Sequence, residues 1–249
     1  MKPIKTRNQR GVGALILVLV ALALSVAAEQ RGAKEPPIDP AQLANLQAVI
    51  DTTYGQIILE FYPNEAPHHV ESFVRLAREG FYDGTTFFRL IKYGIVQAGD
   101  PLTRSPENRA RYGTGGLNRL RAEFNDHKNV RGAVAAVRVP GQPNSGGAQF
   151  FIDVSDQPQL DKEGYTVFAH VVKGIDVVTR ISEAPVDSKQ LATERIEIRK
   201  ITIRPAEPVK EDSPAATPAV ANVHYEPDPL NLSDDELRTA RAKIGRAHV

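Results

Sequence analysis

Apolar residues along the middle of the chain recur with two periods, and the switching between them predicts the elements. "QAVIDTTYGQIILEFY" holds two apolar-rich runs joined by Thr-Tyr-Gly, the pattern of a hairpin. In "APHHVESFVRLAREG" the period lengthens. Val70, Phe73, Val74 and Ala77 form one stripe at helical spacing, Pro67 suits a first turn, and Gly80 stands where the helix would be capped. Strand-like runs follow at 85–91, 94–97, 133–137, 149–154 and 165–172, set off by glycine and polar residues. "GIDVVTRISEA" returns to helical spacing through Ile175, Val178 and Ile181, and "RIEIRKITIR" alternates as a last strand. Many short strands with only two helices favour an all-β barrel or sandwich over a βαβ fold.

One run breaks its own pattern. In "GTTFFRLIKYGIVQAGDP" Arg89 stands among apolar and aromatic residues, and Gln97 closes the run before a turn of small residues. A guanidinium is always charged and is costly to bury alone. Either Arg89 faces water from an edge strand, or it is held in place for a purpose.

The two ends read differently from the middle. Lys2, Lys5, Arg7 and Arg10 precede an apolar run at 12–28 that ends Ser25-Val26-Ala27-Ala28, so residues 1–28 are expected to be a signal peptide cut after Ala28. The run also approaches spanning length, which leaves an uncleaved membrane anchor as the alternative. Either way the expected location is periplasmic or secreted. Residues 29–45 read as a polar linker and 46–204 as the folded domain. From 205 to 249 the chain is rich in Pro, Ala and charge, as a disordered tail is. Ser233 and Glu236 within it form a capping-box pattern for a short terminal helix.

Composition narrows the chemistry. Over 249 residues, 41% hydrophobic and 24% charged content suits a globular domain. A net charge of +1 with no dense Lys/Arg stripe argues against a nucleic-acid partner. Removing the four basic residues of the leader from the 31 present leaves 27 against 30 acidic ones. Cysteine is absent, which excludes disulfides, thiol catalysis and thiolate metal sites. His68 and His69 are adjacent, about 100° apart on a helix, and make a poor metal pair. Both are assigned to the exposed side. "GTGG" and "NSGG" fit no phosphate loop, and no metal or organic cofactor is expected.

Three stretches then fall into one pattern: "FFRLIKYGIVQAGDP", "PNSGGAQFFI" and "LDKEGYTVFAHV", with "GFYDGTTF" and "GTGG" in support. Together they resemble the cyclophilin family of peptidyl-prolyl isomerases, in order and spacing, from about residue 47 to residue 204. The resemblance implies a closed eight-stranded antiparallel β-barrel capped by two α-helices. It also implies a groove on the outer face that binds proline-containing segments of unfolded or partly folded proteins, with the protein acting as a monomer. Residue by residue, it implies Arg89 as catalytic with Gln97 as its polar partner. Ile95, Phe151 and Leu160 would line the proline pocket, Gln149 would bind substrate backbone, and Gly113 would flank the groove. Tyr165 stands at the pocket position that many members fill with histidine. The chain departs from the pattern elsewhere: Phe88 replaces the usual histidine, Gln159 a tryptophan, and Gly94 the pocket phenylalanine. Tyr93 is the residue expected to supply the missing ring. The open pocket at Gly94 keeps a second reading in view, a catalytically weak proline-peptide binding module or holdase chaperone.

Overall fold

The structure, a computed structural model, describes residues 39–208. Eight strands form one closed antiparallel barrel: β1 (Leu46–Thr52), β2 (Gly55–Phe61), β3 (Thr86–Leu90), β4 (Ile95–Ala98), β5 (Ala133–Ala136), β6 (Phe150–Asp153), β7 (Val167–Lys173) and β8 (Leu191–Pro205). Around the barrel they run β1-β2-β7-β5-β6-β4-β3-β8, and β8 pairs back onto β1. Closure leaves no free sheet edge, so Arg89 does not lie on a solvent-facing edge strand.

Among the described residues four α-helices accompany the barrel: α1 (Pro40–Leu43), α2 (Pro67–Arg78), α3 (Pro158–Glu163) and α4 (Ile175–Ser182). Helices α2 and α4 are the two expected from periodicity, and each buries its apolar stripe: Val70, Phe73, Val74 and Ala77 on α2, Val177, Val178 and Ile181 on α4. Among the described residues no helix is long and apolar enough to cross a membrane.

Three details differ from the sequence reading. Helix α1 lies within the expected linker. Asp39 caps it by accepting the Ala41 N–H at 2.9 Å, and Leu43 is buried in the barrel core. At the other end, the Gln47 amide bonds the main chain of Glu207, so the chain stays docked past residue 205. The capping-box segment and the leader lie outside the described residues.

The third difference is His69. It is buried, with only 4% of its surface exposed, and its Nδ1 lies 2.5 Å from Glu123. Ala66 offers α2 no side-chain cap. The Glu123 carboxylate takes that role from a distant loop, accepting the N–H groups of His68 and His69 at 3.0 Å each. Burial opposes ionisation of Glu123, but these hydrogen bonds prevail and hold its carboxyl below the usual range. A stripe read on one helix alone cannot register a partner that arrives from 54 residues away.

Candidate active site

Strand pairing turns alternation into two rows across the barrel. One row runs Leu90–Val96–Ile152–Val134–Ala169 over β3, β4, β6, β5 and β7, and every member is buried in the interior core. One residue along, on the opposite face, Arg89 pairs with Gln97, Gln97 with Phe151, Phe151 with Ala135, and Ala135 with Val167. This second row carries the candidate chemistry. Neighbouring strands lie about 4.8 Å apart, so Arg89 and Phe151 stand about 10 Å apart at the backbone.

The apolar half of the outer face is a cluster of its own. Ile95, Ala133, Ala135, Val137, Phe151, Leu160 and Val167 pack together, with Ile91, Leu117 and Tyr165 against them. The rings of Phe151 and Tyr165 meet edge to face, their centroids 5.3 Å apart. Leu160 comes from α3 and covers the cluster from the side.

The polar half is a chain of hydrogen bonds. Arg89 Nη1 donates to Gln97 Oε1 at 3.4 Å, and Gln97 Nε2 donates to Gln149 Oε1 at 2.9 Å. Gln149 Nε2 in turn donates to the carbonyls of Gly113 at 2.8 Å and Gly115 at 2.7 Å. Asp100 fixes that loop by accepting the N–H groups of Gly113 and Gly115. Burial pushes the Asp100 carboxyl above its ordinary range, although the same N–H groups pull the other way. The approach is close enough to demand glycine. A Cβ on Gly147 would lie 1.9 Å from the Gly116 carbonyl oxygen, and one on Gly99 would lie 2.3 Å from that of Ala148.

One group in this network is left incomplete. Arg89 is 3% exposed, yet its Nε and Nη2 have no hydrogen-bond partner among the described residues. Unpaired buried donors are costly, and a charged group raises that cost. Such donors are what an incoming peptide carbonyl or amide nitrogen would engage.

The structure thus brings together Arg89, Gln97, Gln149, Gly113, Ile95, Phe151, Leu160 and Tyr165. Tyr93 is placed elsewhere. It turns the corner between β3 and β4 with φ of 57°, its N–H donates to Ser182, and its hydroxyl donates to Glu183 at 2.5 Å. The left-handed backbone sends the ring toward the end of α4 rather than into the pocket. Ile91 occupies the space instead: it packs on the outer cluster, and a Cβ at Gly94 would meet its Cγ2 at 2.7 Å. The motif stretch from Phe87 onward contained this residue, but the sequence reading gave it no part in the pocket. Gln159 is exposed on α3, and Phe88 packs edge to face on Tyr112.

The candidate site is therefore an incompletely bonded arginine beside an apolar pocket, both on the outside of a closed barrel. Comparison with known proteins supplies the family. The profile described as cyclophilin type peptidyl-prolyl cis-trans isomerase/CLD matches residues 48–203, and the chain belongs to this family. Peptidyl-prolyl cis-trans isomerase 9 of Schizosaccharomyces pombe is 37% identical over 161 residues, covering 63% of this chain and 25% of that protein. A probable peptidyl-prolyl cis-trans isomerase of Brucella abortus is 36% identical over 167 residues, covering 65% and 81%. The chain therefore spans only about a quarter of the longer of these two relatives. A crystal structure of a Cryptosporidium parvum cyclophilin type isomerase, obtained in the presence of the dipeptide Ala-Pro, superposes with a TM-score of 0.58. It is 28% identical, with 64% of this chain and 99% of that one covered.

Proposed function

We propose that the barrel catalyses cis–trans isomerisation of X-Pro bonds in unfolded or partly folded exported proteins and so assists their folding. The observation that carries this reading is the pair of unpartnered N–H donors on buried Arg89, in the row that ends on the Phe151 pocket.

The barrier to rotation is about 18–20 kcal/mol, because the amide C–N bond has partial double-bond character. Rotation localises the nitrogen lone pair, so a donor near the prolyl nitrogen binds the twisted state better than either planar one. The proline ring seats against Phe151, Leu160 and Ile95. Gln97 orients the guanidinium, and Gln149, anchored on the 113–115 loop, stiffens Gln97. No proton transfer is required.

Arg89→Ala should lower kcat/KM by about 10²–10³, the cost of losing one preorganised donor site, with the fold unchanged. Arg89→Lys should rescue little, because a point charge cannot reproduce the planar fork. Isomerisation of short X-Pro peptides, followed by NMR exchange, measures both. Equal rates in the two proteins, above the uncatalysed one, would end only the role given to Arg89. A wild type that binds proline peptides without isomerising them, with neither property changed in Arg89→Ala, would end the enzyme reading. A binding module or holdase is then the reading in its place, and the absent ring at Gly94 is the observation that favours it. The export proposal rests on the basic, apolar and small-residue order of residues 1–28. Mass spectrometry of protein from its host should find an N-terminus near Glu29, whereas an intact Met1 in a membrane fraction would mean an anchor.

A further inference from the structure

Between Phe87 and Arg89 the pairing of β3 with β8 jumps. Phe87 lies opposite Ile196 but Arg89 lies opposite Leu191, so residues 192–195 arch away from β3. Beneath the arch is a cavity of about 150 Å³, with Phe88, Arg109, Tyr112, Ala192, Thr193 and Arg195 among its walls. None of these residues has been given a part in the chemistry.

The cavity adjoins the catalytic row at three separate points of the chain. Phe88 directly precedes Arg89. Tyr112 directly precedes Gly113, whose carbonyl anchors Gln149. Ala192 directly follows Leu191, the cross-strand partner of Arg89. For the cavity to serve the groove, a peptide whose proline lies against Phe151 and whose amide lies at Arg89 must extend a flanking residue to this opening. The adjacency of Phe88, Tyr112 and Ala192 to the site residues supports that path.

The walls select the kind of side chain. Phe88 and Tyr112 present rings 6.0 Å apart at 72°, an edge-to-face corner into which a third ring packs. Two guanidinium groups also line it, and their donors are largely taken. Arg109 gives Nη1 to the Ala192 carbonyl at 2.7 Å and Nη2 to Asp187 at 2.8 Å and to the Leu191 carbonyl at 3.3 Å. Arg195 gives its three nitrogens to Glu197 at 2.8 Å and to the carbonyls of Thr103 at 3.0 Å and Gly84 at 2.6 Å. With Glu194 also on the wall, an incoming carboxylate finds few free donors and one like charge. The flat faces of bonded guanidiniums suit an aromatic ring instead. A volume of about 150 Å³ is on the scale of one aromatic ring, the space that holds benzene in a closed apolar cavity, and here the opening to solvent leaves room for the rest of the side chain.

We propose that this cavity is a specificity subsite for an aromatic side chain flanking the substrate proline. The proposal rests on the isomerase reading for its orientation. Two peptide sets, Xaa-Pro with Xaa varied and Pro-Yaa with Yaa varied, test it through kcat/KM and, separately, through Kd by NMR titration. Phe or Tyr at one of the two positions should exceed Ala by about tenfold, within the range one pocket contact supports, and chiefly through KM. Thr193 is exposed on the rim, so Thr193→Trp should plug the opening and remove the aromatic advantage while changing the Ala-peptide rate by less than about twofold. Phe88→Ala, with thermal unfolding as the check on folding, should also remove it. No aromatic preference at either position, or a preference that survives both variants, would overturn the subsite. If no peptide is isomerised, the enzyme reading fails on its own. The subsite then stands or falls on whether Phe-containing peptides bind more tightly than Ala-containing ones, and on whether Thr193→Trp abolishes the difference.

Discussion

Phe150 and Phe151 are neighbours on one strand and belong to two different structures. Phe150 points into the barrel, where it meets Phe73, Tyr82 and Phe87 at centroid distances of 5.6, 5.9 and 6.3 Å. Phe151 points out, against Tyr165 and the outer cluster. The interior row has no polar member, whereas the outer row carries Arg89 and Gln97 beside its apolar residues. Both rows are buried, but only the outer one holds donors left over for a ligand. Burial by itself does not separate core from site; here the distinction lies in the unpartnered guanidinium donors of Arg89 beside the outer apolar cluster.

The sharpest way to break this contrast is to truncate the two rings in turn. Phe150→Ala should cost about 3–5 kcal/mol of stability, because the aromatic packing around it cannot collapse into the space. Phe151→Ala should cost clearly less stability and instead raise KM, by a factor set by the about 1.5–3 kcal/mol of a buried phenylalanine. Chemical denaturation and peptide kinetics separate the two. Equal stability losses with unchanged KM would show that Phe151 is core.

Asp153 sharpens the contrast from the outer face. It pairs with Ile95 of the pocket, is fully buried, and neither of its carboxyl oxygens has a hydrogen-bond partner among the described residues. Burial, with Asp161 and Asp156 adding to it, pushes its carboxyl well above the usual range. The native state therefore holds this proton longer than the unfolded chain does. The associated stability is complete below about pH 4 and is lost as pH rises toward the native value. Asp153→Asn should flatten that decline, so that its Tm relative to wild type rises between acid and neutral pH. Parallel curves of Tm against pH for the two proteins would refute it.

The smallest effect runs with the opposite sign. Glu123 is held below its ordinary range, so its contribution is present at neutral pH and is lost as pH falls through the native value. Glu123→Gln should cost about 1 kcal/mol at pH 7, the worth of a helix cap, and nothing at the acid end. Thermal melts across that interval measure it.

Local pattern was enough for the elements. A period of two or 3.6 is imposed by the backbone, and the residues that obey it stand near one another in sequence, so the strands and both long helices were legible. The spaced motifs around Arg89, Gln149 and Leu160 likewise carried the family and most of the residues that the structure brings together on the outer face. Other features depended on pairings between distant segments. The left-handed turn that removes Tyr93 from the pocket, Ile91 filling the space beside Gly94, and Glu123 reaching 54 residues back to cap α2 are of this kind. So is the arch of β8 that opens a cavity beside Arg89. Each is decided by which strands close the barrel and in what register. Side-chain period follows from one residue and its neighbours, whereas register is settled only when the whole ring of hydrogen bonds closes.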